Sequence, residues 1–340
     1  MPGKKDAPYE QLVAEMEERS RSVLEKFDRM STLGVNNPEL LSVLADVRAY
    51  WKDTFRPSLA SFSCEAVGGD PKAADDVSLM ITLMAAGLGI HDDIIDKSFN
   101  KHFRKTILGL HGVDDALLIG ELFIVKSLTT VREIAGNNLP SDRVERTIEA
   151  FERFFLEVWE GEFMETHCRR NLDTNLEYYN KVLWMSTADT EACTRLGAMF
   201  GRGSEVEIEA LAEVGRRLGF IFRLADEVKD ALNIEGNLQS RLEDESVPLP
   251  ILHSAWSSPK AKSKIKKILT KQRVRPKDVM VILKSCFETE SYNYALDLAK
   301  ENEREALNRI KTLKKSEAQK ALTLLVKNAF GRVTALCASG

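Results

Sequence analysis

Along most of this chain, apolar residues recur every three to four positions, the period of a helix with one buried face. The pattern predicts helices over about 10–30, 38–51, 57–67, 77–96, 114–135, from Ser141 onward and from Thr174 to Phe200, followed by shorter helices after Ile251 and a long final pair divided near Lys314-Lys315. Gly34-Val-Asn-Asn-Pro38, Gly68-Gly69 and Gly136-Asn-Asn-Leu-Pro140 punctuate it. Residues 97–112 and 233–250 read as irregular. No convincing strand alternation is found, so the fold class is all-α, in one domain covering residues 1–340.

One stretch organises the rest, Val77 to Asp96. Met80, Met84, Leu88, Asp92 and Asp96 follow one another by fours, and residues four apart lie above one another on a helix, roughly 6 Å apart along the axis. The stripe is apolar for three turns and then becomes carboxylate, with Asp93 on the adjoining row. Leu218, Phe222, Asp226 and Asp230 repeat these fours, with Glu227 placed as Asp93 is. A third helix turns from Val144, Ile148, Phe151 and Phe155 to Glu162 and Glu165, either joining the same site or marking a solvated helix end.

Converging carboxylates repel one another and are costly to desolvate unless a cation lies between them. All-oxygen ligation selects a hard ion such as Mg²⁺, which shares its shell with phosphates. The implied ligand has a phosphate head and an apolar tail. The plainer alternative is two unrelated acidic helix ends facing water.

Bulk properties narrow the field. A net charge of −4 argues against a dedicated nucleic-acid binder. Five scattered cysteines without metal spacing read as reduced thiols of a cytoplasmic protein. The longest uncharged apolar run, Val77 to Ile90, is too short to span a bilayer. The basic stretch Lys260–Lys277 reads as a solvated face, with peripheral contact to anionic lipid as the most a membrane role would amount to. No P-loop, GxGxxG, HExxH or paired Glu-x-x-His is present.

With both acidic clusters in view, the chain resembles the trans-isoprenyl diphosphate synthases, the polyprenyl synthetase family. His91-Asp92-Asp93-Ile94-Ile95-Asp96 is similar to the first aspartate-rich motif, and Asp226-Glu227-Val228-Lys229-Asp230 to the second. Phe55-Arg56-Pro57 resembles the end of the GGKRxRP segment, Gly161–Glu165 the GQxxD segment, and Leu249-Pro250 the LPL turn. The resemblance implies a helical bundle around a central cavity, usually dimeric. It also implies about three Mg²⁺ ions held by Asp92, Asp93, Asp96, Asp226, Glu227 and Asp230 against an allylic prenyl diphosphate, and isopentenyl diphosphate as second substrate. Arg56, Lys101, His102, Arg104, Thr187, Arg223 and Glu162 become substrate-contact candidates, and Met84 and Leu88 line the tail slot. The chain is expected to pair with itself or with a homologue.

The departures from the family cluster around phosphate. Asp53 stands where the family has the lysine of GGKRxRP, Ala85 where it has a polar residue, and Lys101 and His102 where it has paired arginines. Ser186 and Ser246 replace lysines, Arg223 replaces a glutamine, and Lys229 lies inside the second motif. A lysine-to-aspartate change beside a diphosphate reverses a contact worth about 2 to 3 kcal/mol. Three readings follow: a working synthase with an unusual phosphate cradle, a terpene-synthase-like enzyme needing no isopentenyl diphosphate, or a weakly active or regulatory subunit of a heteromeric synthase.

Overall fold

The computed structural model describes residues 7–101, 104–136 and 141–339. Among them are sixteen α-helices, one 3-10 turn and a hairpin of two-residue strands, Asn100–Lys101 against Arg104–Lys105. The class is all-α, as the periodicity predicts. The residues group into two compact units, Met1–Phe154 with Asp189–Gly215 and Ile310–Leu324, and Phe155–Ala188 with Arg216–Arg309 and Leu325–Gly340.

In the first unit, α1 (Ala7–Thr32), α2 (Pro38–Tyr50) and α3 (Phe55–Ala66) precede α4 (Asp75–Ile95), the organising stretch. Asn37 starts α2 by accepting a hydrogen bond from the Leu40 N–H at 2.8 Å, with Pro38 in the first turn where its missing N–H costs nothing. A short α5 (Ile107–His111) lies in the segment expected to be irregular, its first turn held by the Thr106 side chain on the Gly109 N–H. It leads to α6 (Val113–Gly136).

Residues 77–87 of α4 are all buried, which accounts for the lack of charged positions there, and the two hydroxyls, Ser78 and Thr82, each donate to the carbonyl four residues back. By length and composition the stretch Pro71–Ile95 could cross a membrane, but 72% of its apolar window is packed inside the protein, so it is a core helix. It lies close to α6. A Cβ on Gly87 would come within 2.7 Å of the Gly120 carbonyl oxygen, so the glycine is what permits the approach. Phe27 of α1 stacks on Phe123 of α6 at 5.4 Å, joined by Leu44, Leu83 and Ile119 in one apolar cluster.

In the second unit, the latter half of α7 (Ser141–Thr166) and of α10 (Glu205–Ala231) accompany α8 (Leu176–Met185), α11 (Leu238–Asp244), α12 (Leu249–Ser257), α13 (Pro259–Leu269), α14 (Pro276–Glu288) and most of α15 (Ser291–Ile310). Leu218, Ile221, Leu224 and Val228 form the buried face of α10. The lysine-rich α13 buries Ala261, Ile265, Ile268 and Leu269 and turns Lys266 and Lys267 outward.

The helix predicted from Thr174 to Phe200 is two helices, α8 and α9 (Ala188–Phe200), interrupted at Ser186-Thr187. The Trp184 carbonyl at the break accepts from the Thr187 hydroxyl at 2.7 Å and from Arg216 at 3.0 Å. Arg216 is itself held by both oxygens of Glu157 at 2.7 Å. A partner from a distant helix thus satisfies a carbonyl that a continuous helix would have used. The cap of α8 is Asn175, which accepts from the Glu177 N–H at 2.7 Å, so the helix begins two residues after the predicted start at Thr174.

Candidate active site

The first acidic motif closes α4. Asp92 and Asp93 fall in its last turn and Asp96 caps it, its N–H bonded to the Asp92 carbonyl. The fours of the stripe bring an oxygen of Asp92 and one of Asp96 within 4.8 Å of each other. The Lys101 ammonium, delivered by the small hairpin, lies 2.8 Å from Asp92 and 2.8 Å from Asp93. Burial works against the charge on Lys101, but Asp92 and Asp93 outweigh it and raise its pKa. Burial pushes the Asp93 carboxyl up, with Lys101 opposing. The site therefore binds a cation already, through carboxylate oxygens alone, and this donor set fits a hard divalent ion.

Upstream on the same helix, Met84 is buried and Leu88 half-buried. Arg104 stacks on the Tyr50 ring at 3.8 Å and donates to the Tyr50 carbonyl at 3.0 Å. His102 lies outside the described residues.

Arg56, in the first turn of α3, is tied on both sides. Its Nε and one terminal nitrogen donate to Asp189 at 2.7 and 2.6 Å, and the other terminal nitrogen donates to Asp53 at 2.8 Å. Burial disfavours its charge, yet the two carboxylates raise its pKa. Asp53, the reversed position, is thus the arginine's ion-pair partner and also accepts from the Phe55 and Arg56 N–H groups.

In the second unit the three acids of α10 differ from one another. The Asp226 side chain is 53% exposed, with Lys229 at 3.3 Å. Glu227 is 1% exposed. One of its oxygens accepts from Arg241 at 2.5 Å, the other from the Leu249 N–H at 2.6 Å and the Tyr179 hydroxyl at 3.2 Å. Asp230 pairs with the same Arg241. Both carboxylate oxygens of Glu227 thus accept hydrogen bonds within the protein.

Around this group Tyr179 meets Ser246 at 3.0 Å, and the Ser246 hydroxyl donates to Glu165 at 2.7 Å. Arg223 stands 3.7 Å from Glu165. Burial opposes the Arg223 charge, and Glu165, Glu227 and Asp226 raise its pKa above the ordinary value. Glu162 lies half-buried one turn before Glu165. Thr187 is buried, and its hydroxyl serves backbone carbonyls. Sequence reasoning missed Asp189, Tyr179 and Arg241. No spacing signal marks them, because their partners lie far away in the chain.

Residues 52–286 match the polyprenyl synthetase family. A short chain isoprenyl diphosphate synthase of Methanothermobacter thermautotrophicus is 29% identical over 279 residues, covering 79% of this chain and 83% of the relative. The octaprenyl diphosphate synthase of Haemophilus influenzae is 23% identical over 79% of this chain and 81% of its own length. In fold, the chain superposes on geranylgeranyl pyrophosphate synthetase from Pyrococcus horikoshii with a TM-score of 0.83 at 26% identity, over 95% of this chain and 99% of that one. A decaprenyl diphosphate synthase from Rhodobacter capsulatus gives 0.82 at 19% identity, over 96% and 99%. The helical architecture, the acidic end of α4 and these matches together make the chain a member of the polyprenyl synthetase family, the trans-isoprenyl diphosphate synthases.

Proposed function

We propose that this chain is a magnesium-dependent trans-prenyltransferase that ionises an allylic prenyl diphosphate and condenses it with isopentenyl diphosphate. Family membership supports the reading, as do relatives named isoprenyl, octaprenyl and geranylgeranyl diphosphate synthases. They do not favour the terpene-synthase-like or regulatory-subunit alternatives. The observation that carries it is the end of α4, where a buried apolar helix finishes in carboxylates gathered on one ammonium group.

Mg²⁺, about three ions by family resemblance, supplies electrostatic stabilisation of the departing pyrophosphate when bound. Asp92, Asp93, Asp96 and Asp226 would hold it. Lys101, which lies against Asp92 and Asp93, would be placed to meet a phosphate oxygen, with Arg104 beside it in the hairpin. Arg56 serves the acceptor diphosphate, moderated by Asp53 and Asp189. Met84 and Leu88 belong to the apolar wall that keeps water from the allylic cation. Positions 84–88 carry no aromatic ring, which favours a product tail of twenty carbons or more.

A dimer is proposed on the outer face of α5 and α6. There Leu110, Val113, Leu117, Leu118, Val125 and Leu128 are each between 45% and 63% exposed, and clustered exposed apolar side chains mark interaction surfaces. We place the protein in the cytoplasm, in keeping with five free cysteines. Its membrane contact is peripheral at most, through the outward lysines of α13.

The test is to incubate the purified protein and Mg²⁺ with an allylic diphosphate, with and without isopentenyl diphosphate, and to analyse the products. An elongated diphosphate formed only with both substrates, and abolished by Asp92→Asn, is the expected result. A hydrocarbon or alcohol formed without isopentenyl diphosphate, or undiminished turnover in Asp92→Asn, overturns it.

A further inference from the structure

The densest positive charge in this chain lies on two neighbouring helices of the second unit. Residues 259–288, which are α13, α14 and the turn between them, hold eight lysines and two arginines against one aspartate and one glutamate, a net +8 in a chain of net −4. The two helices run antiparallel and are tied at both ends. Lys264 near the start of α13 meets Glu288 at the end of α14 at 3.7 Å, and Lys271 just past α13 meets Asp278 in the first turn of α14 at 2.5 Å. Asp173 takes Lys262 at 2.6 Å. Among the described residues, Lys260, Lys266, Lys267 and Lys277 are exposed and have no ion-pair partner. Four like charges left open on one surface repel one another, and an anionic partner relieves that repulsion.

The same surface also carries apolar side chains. The outer side of α14, opposite its buried Val279, Ile282 and Cys286, presents Lys277, Met280, Lys284 and Phe287 in steps of three and four. Met280 is 65% exposed and Phe287 41%. At the end of α12, Trp256 is 47% exposed. Its indole N–H donates to the Thr174 carbonyl at 2.8 Å, and the Lys262 ammonium stands over its ring at 5.2 Å. A helix side turned only to water gains nothing from Met and Phe, and one turned to a protein core is not interleaved with lysines. A boundary between water and hydrocarbon takes both, since ammonium groups reach the headgroups while the apolar side chains enter the acyl region. A nucleic-acid backbone would take the lysines and leave Met280 without an apolar partner.

We propose that α13 and α14 form a docking face for an anionic lipid bilayer, with the open lysines on phosphate headgroups and Met280 and Phe287 in the acyl boundary. The inference deepens the peripheral contact named with the synthase reading, whose apolar-tailed product dissolves in such a bilayer. Docking itself needs no turnover.

The test is co-sedimentation of the full-length protein, without substrate, with vesicles of phosphatidylcholine alone and with phosphatidylserine added. Binding only to the vesicles that contain phosphatidylserine, weakening as salt rises, is expected. Lys260→Gln with Lys267→Gln removes two surface charges and should weaken binding about twentyfold. Met280→Ser with Phe287→Ser should weaken it about tenfold and leave retention on a heparin column unchanged, which a purely electrostatic contact would not do. All four positions are exposed, so both variants should melt with the parent. The inference is overturned if the parent ignores phosphatidylserine vesicles at low salt, or if either double variant binds them as the parent does. An oligonucleotide duplex bound more tightly than the vesicles also overturns it, because the face then serves nucleic acid. Failure of the product assay with vesicle binding intact strikes the synthase reading alone, and the reverse pattern strikes the docking face alone.

Discussion

Replacing Asp53 by Asn separates the two roles this residue plays at the start of α3. One oxygen accepts from the Phe55 and Arg56 N–H groups, at 3.0 and 3.1 Å, and the Asn carbonyl can keep that duty. The other oxygen takes an Arg56 N–H at 2.8 Å, and in Asn it becomes an NH₂ facing a guanidinium. A hydrogen bond to a charged group contributes about 1.5 to 3 kcal/mol net. Arg56 keeps Asp189, and its side chain is 26% exposed, so the expected loss of stability is about 1 to 2 kcal/mol. The functional effect has the opposite sign. Two carboxylates on one guanidinium leave the cluster at −1, and Asp53→Asn brings it to zero. At about 6 Å and an effective dielectric near 20, removing one unit charge is worth up to about 3 kcal/mol toward an approaching anion, and solvent screening reduces this to about 1 kcal/mol. The KM for isopentenyl diphosphate should therefore fall by about fivefold while urea denaturation shows the lower stability. A KM that is unchanged or raised alongside the stability loss would remove Arg56 from the acceptor-diphosphate site. Arg56→Met is the contrasting control: it strands two buried carboxylates and should cost about 3 to 5 kcal/mol.

Gly87→Ala places a Cβ 2.7 Å from the Gly120 carbonyl oxygen. Overpacking of about 1 to 3 kcal/mol, offset by about 1 kcal/mol of helix propensity, should lower the urea midpoint, and a variant as stable as the parent would deny the close approach of α4 and α6. Burial lowers the pKa of His253, which stacks on Tyr294 at 4.5 Å. Its folded value thus lies below the unfolded 6.5, so its contribution to stability is present above that pH and is lost as pH falls through the folded value. Melting temperature followed from about pH 7.5 to pH 5 should decline more steeply in the parent than in His253→Asn, and parallel curves would contradict this. Val125→Glu with Leu128→Glu, both on the exposed face of α6, should halve the mass measured by light scattering, and a parent that is already monomeric removes the proposed interface.

Most of the helical order was legible in the chain because helix formation is local. Asn37-Pro38 starts α2 as its residues dictate, and the apolar stripe of α4 marked the helix that the core takes up. The acidic end of that helix was equally legible, since Met84, Leu88, Asp92 and Asp96 share a face by spacing alone. Only the tertiary structure decided which charges answer one another. Asp53 read as a defect in a phosphate cradle until Asp189 closed with it around Arg56. Asp226, Glu227 and Asp230 read as equals until Arg241 arrived from α11 and claimed two of them. The break between α8 and α9 likewise depends on Arg216 reaching the Trp184 carbonyl from another helix. Periodicity reports which side of a helix meets the core and is silent on which residue waits there. An ion pair takes its strength from proximity and shared burial, and those are set by packing between segments that the sequence keeps far apart.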